Sequence, residues 1–368
     1  MFRLGVGAFV LSSLACALAP TAVLQGAAAA VIIPQTIGLI RAMFTGPALS
    51  RALGAIGPVM GLAAVCGPVL GGVLTQTWSW RSAFLINVPL GVAVLALTRH
   101  LPEDRAPGRP RLDLIGTALA IAGSGLLIGP LIAGGTTMST RDGLVCAAGV
   151  VVLTVFAVHQ RRSSHPLVER SLFGGPRFPA ALVNSLLFFT VTSGVTLVVV
   201  LHEQLEAGAD ARSAGLTLVP WAAGLGVASR VSGSFLVRRF GTAVMPAGIV
   251  VLAAGLLVAG HTADRVVFLG ALAVIGIGAG MFSPAFFTSA LHTVEPAEVG
   301  SAAGLLNAVQ QLGATFGVAV LGGVCLTGGA TAAYRLAVVV VIGVVPATVV
   351  MTKKRNSRVF PDGGYRDS

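Results

Sequence analysis

Residues 266–291, VVFLGALAVIGIGAGMFSPAFFTSAL, run for 26 positions without an ionisable side chain. As a helix rising about 1.5 Å per residue, such a run exceeds the ~30 Å hydrocarbon thickness of a bilayer. Apolar and polar residues do not alternate along it, so the span it predicts is a helix and not a membrane β-strand. The Gly276-Ile-Gly278-Ala-Gly280 run inside it is no phosphate loop, because it sits within an apolar span with no preceding strand and no lysine. Working outward, eleven more apolar runs lie between clusters of charge, proline or glycine: 4–20, 22–42, 52–75, 82–98, 113–135, 143–158, 179–201, 213–236, 243–260, 299–326 and 332–351. The 368 residues are 55% hydrophobic and 10% charged, against about 25% charged in soluble domains. The expected fold is therefore all-α, a polytopic membrane helical bundle with about 12 transmembrane helices. That composition excludes a soluble domain behind a signal peptide, a disordered chain, and a nucleic-acid binder inferred from the net charge of +11.

In a polytopic protein the positive balance marks cytoplasmic loops. With the N-terminus inside, 18 of the 24 basic residues fall in inside segments and five outside. Arg230 alone lies within a span. The bias predicts a multi-pass protein of the cell (inner) membrane with both termini cytoplasmic. The first run has a rival reading as a secretory signal peptide ending at Ala17-Leu18-Ala19, which Pro20 disfavours. Cys16, Cys66, Cys146 and Cys325 each stand alone in an apolar span, and the six histidines lie at span ends or in loops, so neither residue type predicts a metal site. Of the 13 acids none lies mid-span; Asp113 and Glu203 come nearest, each as a boundary residue.

The chain repeats itself at an offset of 250 residues, aligning 22–75 with 272–325. Gly26 falls on Gly276, Pro34 on Pro284, Gly54 on Gly304, Gly67 on Gly317 and Gly72 on Gly322. Glycine and proline in spans set close helix approach and kinks, so matched placement implies matched geometry in a parallel repeat. Three spans precede the later copy and one precedes the earlier. The implied plan is six helices, an inserted pair and six more. The expected division is 1–98 as an incomplete N-terminal half of four spans, 99–178 as the inserted pair with its basic loops, 179–352 as a C-terminal six-helix half, and 353–368 as a cytoplasmic tail.

The run Gly61-Leu-Ala-Ala-Val-Cys-Gly67-Pro68-Val-Leu-Gly71-Gly72 resembles the antiporter motif of the major facilitator superfamily. Trp80-Arg81-Ser-Ala-Phe84-Leu-Ile-Asn87-Val-Pro89-Leu-Gly91 resembles the continuation of that motif in the fourteen-helix drug:proton antiporter branch. Pro166-Leu-Val-Glu-Arg-Ser-Leu-Phe173 and Ala214-Gly215-Leu-Thr-Leu-Val-Pro220 also fit that branch. The branch's first two helices, its acidic first-helix motif and its charged loop have no counterpart, and its arginine would fall at Ala22.

Several residues carry candidate roles. Gly67, Pro68, Gly71 and Gly72 would form a kinked, close-packed seam between halves on the resemblance, or simply a kinked helix. Asn307, Gln310 and Gln311 share one face of their span and would either line a central cavity or hydrogen-bond between helices. Asn184, Thr190 and Thr192 carry the same two readings, with Gln25 a weaker candidate for the cavity. Trp221, Phe188 and Phe189 would offer aromatic contacts to a ligand, or pack. Arg230 is a functional charge by default, or snorkels to the inner boundary. The resemblance implies a secondary transporter that expels amphipathic or cationic small molecules by proton antiport, in contact with membrane lipids, without a cofactor beyond the proton gradient and without nucleic acid. It would not be an enzyme, because no nucleophile–base pair, metal cluster or ATPase motif occurs. The alternative is a truncated remnant, or a non-transporting regulatory partner of a transporter.

Overall fold

The computed structural model describes residues 81–97, 113–133, 139–163, 166–292 and 298–353, with scattered positions at 6–14, 67–79 and 294–295. Among them every regular element is helical. α1 covers Ser82–Leu97 with a turn at Ile86. α2 is Leu114–Ala133 and α3 Thr140–Arg162. A short 3-10 turn at Arg170–Phe173 leads to α4, Arg177–Leu201. Five helical runs of the described residues are long and apolar enough to cross a membrane, and two of them, of 49 and 52 residues, are about twice the length one crossing needs.

Glycine divides these two long runs. The first comprises α5, Ala211–Thr217 and Val219–Val231 continuing through Phe240, and α6, Val244–Ala259. Gly241 stands between them at φ 58°, a conformation that residues with a Cβ rarely adopt. Pro220 cannot donate to residue 216, and α5 accordingly steps at Leu218. α7 is Arg265–His292. The second long run breaks at Gly329, with φ 79° and ψ 169°, into α8 (299–328) and α9 (330–352). The predicted spans from 179 onward coincide with α4 to α9, and 113–135 and 143–158 with α2 and α3.

The packing exchanges partners. α4 lies along α8 and α9, whereas α7 lies along α5 and α6. Each of these two first helices thus leaves its own sequence neighbours to complete the other triplet. α7 manages two contacts at once through its glycines. A Cβ on Gly276 would land on the Trp221 carbonyl, and one on Gly280 would stand 2.5 Å from that of Leu225, so this edge of α7 meets the α5 backbone. Gly278 points the other way, onto Leu252 and Gly248 of α6. On α8, Gly313 and Gly317 meet the backbone of Leu186 and Thr190 in α4. Small residues spaced by four let membrane helices approach this closely. The glycine run that resembles a phosphate loop is therefore a two-sided helix contact. α4 and α7 also touch through stacked Phe188 and Phe282, with ring centroids 4.3 Å apart.

Candidate functional site

α8 presents two different faces. Ala302, Leu306, Gly313, Gly317 and Leu321 are buried in the bundle. Away from them, Asn307 and Gln310 are half-buried and Gln311 is exposed. None of these three amides makes a side-chain hydrogen bond among the described residues. Gln311 lies twelve residues into a helix rising ~1.5 Å per residue, about 18 Å from its start and near mid-depth of a ~30 Å hydrocarbon layer. An amide facing lipid there, without a partner, costs several kcal/mol. Polar groups at that depth face a protein interior or a water-filled space.

The other predicted positions separate by environment. Asn184 is fully buried between α4 and α9. With its amide nitrogen directed at the Val344 carbonyl (3.0 Å) and its oxygen at the Thr348 hydroxyl (3.3 Å), both ends are satisfied. Thr190 is buried and donates to the carbonyls of Leu186 (2.8 Å) and Gly313 (3.0 Å), the second across to α8. Thr192 is half-buried and donates to Phe188 O within its own helix. Trp221 is half-buried against the core. Arg230 is exposed, two residues before the π turn Ser232–Leu236, and its carbonyl accepts from Ser234. Gly67 and Gly71 are helical, while Pro68, Gly72 and Gln25 lie outside the described residues.

Two polar clusters were not legible as such in the sequence. The first contains Glu203, which the sequence places at a span boundary. It does lie at the end of α4, and it is 1% exposed there, continuing the buried stripe of Val195 and Val199 at four-residue steps. That continuation was the readable signal. A π turn, His202–Glu206, closes α4 there. Arg265, at the start of α7, donates through Nη1 to both Glu203 oxygens at 2.5 and 2.7 Å, and through Nη2 to Thr217 of α5 at 3.0 Å. Beside them His202 meets Glu206 at 2.8 Å, and Glu206 accepts from the Ala330 amide of α9 at 3.3 Å.

The second cluster holds the α2–α3 hairpin to the segment ahead of α4. Asp113 accepts from the Gly116 amide (2.8 Å) and from Gln160 Nε2 (2.8 Å), and meets His159 Nε2 at 3.0 Å. Gln160 Oε1 in turn accepts from the Leu167 amide at 2.6 Å. The Gly116 N–H, then His159, hold the Asp113 carboxyl below its ordinary value of 3.8. Because the folded pKa is lowered, the carboxylate supports the anchor fully above the ordinary value and loses it as pH falls through the lower one. Hydrogen exchange at the Leu167 amide, relative to its intrinsic rate, is expected to stay slow down to that range and rise below it. Asp113→Asn should weaken this protection at neutral pH; unchanged protection would sever the anchor from the carboxylate. Among the described residues no group of three or more His, Cys, Asp or Glu could hold a metal ion.

Long apolar helices packed through glycine, one of them carrying amides without a side-chain partner among the described residues, define a polytopic helical membrane protein. Residues 1–318 match the Major Facilitator Superfamily, and the chain belongs to that family. It is 40% identical over 347 residues to the "Probable actinorhodin transporter" of Streptomyces coelicolor, covering 88% of this chain and 60% of that protein. It is 33% identical over 341 residues to "Multidrug resistance protein Stp" of Mycobacterium tuberculosis, covering 88% of this chain and 63% of that protein. The chain thus spans about three fifths of the length of these relatives. The human organic anion transporter MFSD10 shares the fold, with a TM-score of 0.62 at 16% identity over 95% of this chain and 76% of that one.

Proposed function

We propose that this chain forms the body of a secondary transporter that exports amphipathic or cationic small molecules by proton antiport. The observation that carries the reading is the face of α8 holding Asn307, Gln310 and Gln311, whose amides have no side-chain partner among the described residues and which we read as facing a wet cavity at mid-depth. A relative named as an actinorhodin transporter supports transport, and one named for multidrug resistance supports export as its direction. In this reading 1–98 and 179–352 are the two halves that alternate access, 99–178 is an inserted pair, and 353–368 is a tail. Both termini lie in the cytoplasm and the protein sits in the inner membrane. Trp221, Thr192 and Gln25 join the α8 amides at the cavity, Arg230 supplies a charge near its inner mouth, and Gly67, Pro68, Gly71 and Gly72 seal the seam between halves. The coupling ion is the proton, and no further cofactor takes part.

The test is dye accumulation in cells expressing the chain. Ethidium retention below that of empty cells, restored by a proton uncoupler, is the expected result, and Gln311→Leu should raise retention again. Equal retention in expressing and empty cells overturns export.

A further inference from the structure

We propose that Glu203 is the proton-binding carboxylate of the exchange, clamped by Arg265 when deprotonated and released from it when protonated. This rests on the antiport reading above and assigns its proton to one side chain. Glu203 is the only fully buried acid among the described residues. Its partner is lopsided: the Arg265 side chain is 54% exposed, so one end of the pair is dry and the other wet. When a proton adds to a Glu203 oxygen, the two contacts from Arg265 Nη1 no longer join opposite charges and weaken, and one acceptor oxygen becomes a hydroxyl. Arg265 keeps its own proton and turns to water, leaving a neutral carboxyl in an environment that penalises its charged form. Loss of the proton reverses each step.

A second polar group lies within electrostatic range. Tyr334 of α9 is 2% exposed, and its hydroxyl has no hydrogen-bond partner among the described residues. It lies close enough to Glu203, Glu206 and Cys325 to interact with them electrostatically. An orphaned buried hydroxyl is costly in the described state, and this one stands beside the acid whose charge the proposal changes. Among the described residues the groups around Glu203 are thus Arg265 from α7, Tyr334 from α9, the neutral Thr217 hydroxyl from α5, and His202 with Glu206 from its own turn, with Cys325 of α8 next to Tyr334 and Glu206. Because α4, α5, α7 and α9 all meet here, a change of charge at this one point reaches both triplets of the bundle.

The full chain in lipid vesicles separates the possibilities, with ethidium as the transported dye. One arm measures ethidium–ethidium exchange without a pH gradient, the other measures ethidium movement driven by an imposed gradient with a trapped pH indicator. Glu203→Gln is expected to keep exchange and lose both gradient-driven movement and proton flux. Glu203→Asp should restore coupling with a displaced pH profile, and Tyr334→Phe should keep exchange while slowing the driven arm. A Glu203→Gln protein that retains driven transport, or that loses both arms, overturns the assignment. Should the unaltered chain move no ethidium in either arm, the export reading fails instead. Glu203 is then decided in the purified protein, where a titrating protonated-carboxyl infrared band absent from Glu203→Gln supports it and an unchanged spectrum overturns it.

Discussion

Replacing Arg265 by methionine is expected to destabilise the bundle by about 3–5 kcal/mol, because it strands a carboxylate without its partner in a dry site. Glu203→Gln should cost much less. The stranded group would then be a guanidinium already half in water, and a glutamine retains an acceptor for it. Truncating either partner of an exposed pair would cost little, within about 1 kcal/mol. The asymmetry is therefore a signature of burial on one side only. Thermal unfolding of the two variants in the same detergent measures it, and equal losses would contradict the geometry described here.

A single methyl group is expected to do comparable damage on α7. The Cβ of Gly276→Ala would land on the backbone carbonyl of Trp221, which no rotamer change can move aside. Overpacking usually costs about 1–3 kcal/mol, and a clash with backbone belongs at or above the top of that range. Gly270→Ala, on the same helix with nothing within 4 Å of the new atom, is the matched control. It should be neutral or gain roughly 0.5–1 kcal/mol from the helix propensity of alanine. Comparable yields of folded protein from both variants would show that α5 and α7 are not in backbone contact.

The sequence made the helices legible because hydrophobic length is a first-order signal in a membrane protein: every described helix from α2 to α9 sits where an apolar run sits. It also made the contact glycines legible through the repeat. Gly276, Gly317 and Gly322 all meet a neighbouring helix, although Gly304 meets nothing within 4 Å. Partner choice was not legible. Nothing in the apolar pattern of α4 says that it packs on α8 and α9 and not on the helices that come directly after it, since lipid tails and neighbouring helices reward the same side chains. Asn184 shows the same limit. Its type and depth suited both a cavity and an interhelix bond, and the contact with Thr348, 164 residues away, is not readable from either neighbourhood. Glu203 does lie at the end of its span, but its burial was not legible for a related reason. A charge after an apolar run marks the membrane boundary by default, and only the register of Val195, Val199 and Glu203 on one stripe shows that it turns inward.

The exchange of α4 and α7 between triplets has a consequence for biosynthesis. Thr348 is made 164 residues after Asn184, a delay of roughly 10–30 s at ~5–20 residues per second. Throughout that interval α4 is a finished span with an unmet amide and a groove-facing edge, beside helices that are not its final neighbours. The triplet of α5, α6 and α7 can close as soon as α7 is made, whereas α4 must wait for α8 and α9, so the membrane-inserted intermediate is one closed triplet beside an unmatched span, and the second triplet forms only at the end of translation.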